Sequence, residues 1–123
     1  ATKRMAAAGV HAFIRRSGST PSSGTGPGRA SKGMFYVYAE VSGWTQGDMA
    51  YLTSPFHRLS MGASVSFRYH MHGNNIGTLQ LLVSGSNPSW QSLWNVSGDQ
   101  GDQWFNHKQD LSHLVGTPAP GIR

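Results

Sequence analysis

From Met34 onward, apolar and polar residues alternate with a period of two, the spacing of a strand and not of a helix. Over Met34 to Val41 the pattern puts Phe35, Val37, Ala39 and Val41 on one face and Tyr36, Tyr38 and Glu40 on the other. Both faces carry large apolar surface, so this strand is expected to be covered by a second sheet on one side and by loops on the other. Met49 to Thr53 reads as a short strand that Pro55 ends, because proline cannot donate to a ladder. Ser64 to His72 alternates clearly, with Val65, Phe67, Tyr69 and Met71 inward and Ser64, Ser66, Arg68, His70 and His72 outward. Gly73-Asn74-Asn75 then supplies turn residues, and Thr78 to Val83 is the predicted return strand of an antiparallel hairpin. Ser92 to Val96 and Gln103 to Gln109 complete the set, separated by the turn Ser97 to Gly101. Trp94 and Trp104 are expected to fill the core or to cover one end of it.

The first part of the chain behaves differently. Residues 1 to 33 show no sustained period, and Ser17 to Ser31 strings together residues that favour turns, so a loop is expected there, ordered in part against the sheet. Lys3 to Ala8 holds good helix formers, enough for one or two turns at most. The tail from Gly116 has no pattern that folds by itself. About five to seven short strands joined by polar turns predict an all-β protein, an antiparallel β-sandwich. Composition agrees: 16 glycines and 6 prolines suit a turn-rich chain, and 123 residues suit one core.

The net charge of +5 suggests a polyanion partner until its distribution is read. Lys3, Arg4, Arg15, Arg16, Arg29 and Lys32 all precede the first acid, Glu40, and the strand-bearing part is nearly neutral. Aromatic residues are not interleaved with those charges as stacking platforms for bases, so no nucleic-acid partner is expected. A solvated basic segment is the preferred reading over a phosphate or anionic-glycan contact. The absence of cysteine excludes a disulfide framework and a thiolate zinc site. The longest apolar run, Met34 to Ala39, is too short to cross a bilayer, and Ala1 to Val10 does not read as a complete signal peptide.

Five elements in register carry a family resemblance. They are Phe13 to Val41, then GDMAYLTSP over Gly47 to Pro55, FRYHMHG over Phe67 to Gly73, Gly77-Thr78-Leu79, and Leu93-Trp94 followed by SGDQGDQW over Ser97 to Trp104. Together they resemble the MAM domain over about residues 13 to 115. The resemblance implies a jelly-roll β-sandwich in the extracellular part of a cell-surface or secreted parent protein, a non-catalytic role in protein contact or self-association, and membrane association only through that parent. It also marks departures. The usual cysteines are absent, and an opening strand ahead of Phe13 and a closing strand after Arg123 are not in the sequence. The expectation is therefore a truncated or degenerate copy, or a fragment of a longer repeat-bearing protein, with a poorly ordered basic segment over 1 to 12, an incomplete domain over 13 to 115, and the start of a closing strand over 116 to 123.

Few residues point to chemistry. His70 and His72 share a strand face and can present two imidazoles, with His57 or His107 as a third ligand, but a sheet-surface role is preferred over a metal. Glu40 and Asp48 offer carboxylates to Ca²⁺, but such an ion needs six to eight oxygens, so a solvated or hydrogen-bonded role is preferred and no cofactor is expected. Asn95-Val96-Ser97 is the one acceptor sequon, because Pro88 disqualifies Asn87. No serine sits in a nucleophile elbow or beside a recognisable base, so an enzyme is not expected. The binding surface is expected to draw on Trp44, Arg68, His72 and Trp90. A glycan-binding jelly roll is the rival reading, since exposed aromatic rings can stack on sugars.

Overall fold

The computed structural model describes residues 9–55, 58–84 and 89–114, together with the backbone of 121–122. These residues are all-β apart from one short 3-10 turn at Ser112–Leu114. The strands are β1 (Val10–Ala12), β2 (Ile14–Ser17), β3 (Phe35–Tyr38), β4 (Met49–Tyr51), β5 (Ser64–Met71), β6 (Thr78–Ser84), β7 (Trp90–Ser97), β8 (Gly101–Asp110) and β9 (Gly121–Ile122). The alternation read from β3 and from β5 to β8 thus identifies real strands.

The architecture is an antiparallel β-sandwich with a crossed connection. β5 pairs with β8, while β6 pairs with β7 on one edge and with β9 on the other. The chain leaves one sheet after β5, forms the β6–β7 hairpin in the other, and returns as β8 beside β5, which is a jelly-roll connection. The predicted hairpin between Ser64–His72 and Thr78–Val83 is therefore wrong. Gly73-Asn74-Asn75 does turn the chain, but the turn carries it across to the opposite sheet. Gln100 N donates to Met71 O at 2.7 Å and Gly98 N to Gly77 O at 3.0 Å, which fixes that crossing.

Aromatic rings fill the space between the sheets. Trp94 of β7 meets Phe67 and Tyr69 of β5 at centroid distances of 5.6 and 5.2 Å, and stacks on His107 of β8 at 4.2 Å. Tyr69 stacks in turn on Phe105 at 5.4 Å. Such pairs are each worth about 0.5–1.5 kcal/mol beyond the area they bury. Met71, Leu81, Val83 and Leu111 are the buried aliphatic residues among those described. Leu111 N donates to Ala63 O at 2.8 Å, which closes this end of the β5–β8 pair. Trp94 lies opposite Leu81 and Ser92 opposite Leu82, so Leu93 is the extra residue of a β-bulge.

Three further expectations need correction. The basic segment conceals β1 and β2: β1 pairs parallel with β4, and β2 pairs antiparallel with β3. On β3 only one of the two faces expected to be covered is covered, because Tyr36 and Tyr38 are half-buried while Phe35 and Val37 are 48% and 46% exposed. Tyr36 lays its ring edge-on to Trp104 at 5.9 Å and donates its hydroxyl to Gly18 O at 2.8 Å, a combination of apolar body and polar tip that phenylalanine cannot supply. Trp104 itself lies on the face of β5–β8 opposite Phe67, since it pairs with His70 and not with an inward residue. The helix considered at Lys3–Ala8 lies outside the described residues.

Candidate binding surface

The outer face of β5–β8 is covered by the Gly/Ser/Pro segment 18–33, which acts as a strap. Its anchors are mostly backbone groups, which is why a turn-rich sequence can hold a fixed course here. Thr25 Oγ1 and Gly26 N both donate to His72 O, at 2.7 and 2.9 Å. Trp104 Nε1 donates to Arg29 O at 3.0 Å, and Arg68 donates to Ser31 Oγ at 2.9 Å. The strap closes on itself as well, with Thr20 Oγ1 donating to Thr25 O at 2.8 Å. Gly73 has a φ of +141°, and a Cβ there would come within 2.5 Å of Thr25 Oγ1, so glycine is required where strap and sheet meet.

Beneath the strap, acids and histidines pair off. His70 Nε2 and Asp102 Oδ1 are 2.9 Å apart, and the His70 side chain is only 3% exposed. Its other ring nitrogen, Nδ1, is buried and has no hydrogen-bond partner. Asp102 reaches this position because β8 breaks register: His70 faces Trp104, whereas Met71 faces Gly101, which leaves Asp102 and Gln103 outside the ladder. His72 Nδ1 lies 3.4 Å from Asp99 Oδ1, near enough for an ion pair with a protonated ring but without hydrogen-bond alignment. Donation from Gly101 N and Gly73 N, with His72 adding to it, holds the Asp99 carboxyl below its ordinary range. His70 and His72 do share the outer face, with ring centroids 6.3 Å apart. His107 cannot join them, because it projects from the opposite face onto Trp94, and His57 lies outside the described residues. Among the described residues no group of three or more His, Cys, Asp or Glu side chains is arranged to hold a metal ion.

The carboxylates considered for Ca²⁺ each serve a local turn. Glu40 Oε1 accepts from Ser42 Oγ at 2.6 Å and Ser42 N at 3.1 Å, and these bonds, the hydroxyl first, lower its pKa. Asp48 accepts from Thr45 N at 3.1 Å and lies 3.0 Å from His11 Nε2. The Thr45 amide is the main cause of its lowered pKa. His11 stacks flat on Trp44 at 4.1 Å, so β1, the Trp44–Asp48 turn and β4 form one small unit. Sequence reading treated Glu40 and Asp48 as a pair and missed His11, whose link to Asp48 spans 37 residues.

The residues expected to form the binding surface sit on different elements. Trp44 is half-buried against His11, and Trp90 is half-buried at the start of β7, opposite Ser84. Arg68 is exposed on β5 beside the strap, and His72 lies just past the end of the same strand. Asn95 is exposed on β7, opposite Gln80 of β6. A surface not foreseen is the open face of the β2–β3 ribbon. There Arg15 faces Val37, and the Arg15 guanidinium carbon sits 3.8 Å from the centroid of the Phe35 ring.

Comparison with known proteins agrees with this architecture. The family model for the MAM domain, meprin/A5/mu, matches residues 9–117. Human MAM domain-containing protein 2 is 37% identical over 95 residues, which cover 74% of this chain and 14% of that protein. Neuropilin-1 of Xenopus laevis is 40% identical over 72 residues, 56% of this chain and 8% of that protein. The chicken MAM domain-containing glycosylphosphatidylinositol anchor protein 1 is 37% identical over 90 residues, 70% of this chain and 9% of that protein. The chain thus spans a small part of each relative's length. On the match to the family model across most of its residues, this chain belongs to the MAM domain family.

Proposed function

We propose that this chain is a non-catalytic extracellular contact module that associates through its surface with a protein, either a second copy of itself or a partner chain. Membership of the family supports the general role, and the name of one relative describes a glycosylphosphatidylinositol-anchored protein, a form held at a membrane surface. The observation that carries the reading is the open face of β2–β3. Phe35 and Val37 are about half exposed, Met34 beside them is 70% exposed, and Arg15 lies over the Phe35 ring. Arginine and large aromatic groups are what interface hot spots are built from, and a folded chain gains nothing by leaving both in water. Arg68 and His72, on and just past β5, are further contributors in this proposal, as are Trp44 and Trp90 at their separate places.

Sedimentation equilibrium over a range of concentrations tests the self-association arm. Wild-type chain should show a mass that rises with concentration, and Val37→Asp should abolish the rise while leaving the circular dichroism spectrum unchanged. For the partner arm, immobilised wild-type chain should retain extracellular proteins that the Val37→Asp chain does not. If Val37→Asp changes neither, the proposal fails.

We also propose Asn95 as a glycan acceptor. It is exposed on β7, and Ser97, the third residue of its sequon, contacts Thr78 Oγ1 at 2.8 Å across the hairpin. Expression through a secretory host should give a mass increase that an endoglycosidase removes and that Asn95→Gln abolishes.

A further inference from the structure

A shallow cleft of about 350 Å³ opens on the outer face where the end of the strap meets the irregular start of β8. It is lined by Gly28 and Arg29 of the strap, by His70 of β5 and by Asp102, Gln103 and Trp104 of β8. Through Gly28 and Asp102 it adjoins a second cleft of about 390 Å³, which runs beside the strap to His72. These volumes lie at the lower end of the range for small-molecule sites.

The polar groups in the first cleft are unspent. One oxygen of Asp102 meets His70, but Asp102 is 67% exposed and its second oxygen has no partner among the described residues. The Arg29 guanidinium and the Gln103 amide likewise make no hydrogen bond within the described chain, although the Arg29 carbonyl holds Trp104. The break in register turns Asp102 and Gln103 out of the ladder and towards the opening, which is how bulges re-aim side chains beside binding sites. His70 lines the cleft as well, its almost wholly buried side chain meeting Asp102 through Nε2.

The chemistry selects the ligand. Arg29 and Asp102 oppose each other in charge, so the cleft favours neither an anion nor a cation. No set of three ligating side chains is arranged there for a metal. What remains is a wall of planar hydrogen-bonding groups beside an indole whose position is fixed by its bond to Arg29 O. A neutral molecule with many hydroxyl groups and one apolar face matches that combination, because the hydroxyls pair with carboxylate, amide and guanidinium while the apolar face lies on the indole. We propose that this cleft is a saccharide subsite that takes the ring of an uncharged pyranose. The site is distinct from the β2–β3 face and does not rest on the self-association reading.

Saturation-transfer NMR on the full chain tests it, with the methyl glycosides of glucose, galactose, mannose and N-acetylglucosamine as probes. At least one should receive transfer from the protein. Titration of that glycoside should show about tenfold weaker binding in Arg29→Ala and in Gln103→Ala, the loss expected when a hydrogen bond to a charged or amide group is removed. Both side chains are exposed and neither holds the strap, so both variants should keep the wild-type melting temperature. Trp90→Ala and Val37→Asp should bind sugar as wild type does. The proposal is overturned if no neutral glycoside receives transfer, if both cleft variants bind like wild type, or if only sulfated glycans bind and salt removes them.

Discussion

The indole Nε1 of Trp104 donates to the carbonyl of Arg29 at 3.0 Å, tying β8 to a strap 75 residues earlier in the chain. A tryptophan turned away from the space between the sheets therefore covers the outer face of β5–β8 together with Tyr36, and its one polar atom is satisfied by backbone. Trp104→Phe keeps most of the ring and removes the donor. The expected cost is about 1 kcal/mol in urea unfolding, with faster amide exchange confined to the strap at Gly26 and its neighbours. Unchanged exchange across residues 18–33 would show that this bond does not hold the strap.

Gly73 is the second point of attachment. Its φ of +141° and its closeness to Thr25 leave no room for a side chain, so Gly73→Ala must distort either the strap or the end of β5. A loss of about 1–3 kcal/mol is expected, the cost of strained backbone with a steric clash added. Gly77→Ala is the control, because a Cβ there meets nothing within 4 Å and the native φ is not in the left-handed region. Equal melting temperatures for the two variants would contradict the account of the junction.

Acid should weaken the fold through its turns. Asp48 is held below the ordinary aspartate value of 3.8 chiefly by the Thr45 amide, Asp99 by the Gly101 amide and Asp110 by the Ser112 hydroxyl. The Ser42 hydroxyl lowers Glu40 from 4.5 in the same way. Each carboxylate binds its proton more weakly folded than unfolded. The stability it contributes is present above the unfolded value and is lost as pH falls through the lowered folded value. Melting temperature should therefore fall progressively below about pH 4.5, and Asp48→Asn should flatten part of that fall. A melting temperature that rises on acidification over this range would exclude these turns as contributors.

How much the sequence discloses depends on the range over which each feature is determined. The strands β3 and β5 to β8 were legible because alternation is a local property, and the outward placement of Arg68, His70 and His72 follows from it. Which face of β3 is covered was not legible, because Phe35-Tyr36-Val37-Tyr38 offers apolar surface on both sides and only the distant Trp104 decides between them. The partner of β5 was misread for a related reason. A turn at Gly73-Asn74-Asn75 looks the same whether the chain folds back or crosses over, and the choice is made by Phe67 and Tyr69 packing on Trp94. At the site, His70 and His72 were seen but their acids were not. Asp99 comes from the turn after β7, and Asp102 depends on a break in register that no periodicity announces. The strap is held largely through backbone carbonyls, which carry no residue-type signal.

Amide hydrogen exchange measured at low and high protein concentration tests the contact role most directly, because it locates the buried face as well as detecting association. Added protection at high concentration should fall on Ile14–Ser17 and Phe35–Tyr38, the strands that carry Arg15, Phe35 and Val37, and should vanish in Val37→Asp. Association with added protection at β7 or β8 and none at β2–β3 would contradict the account.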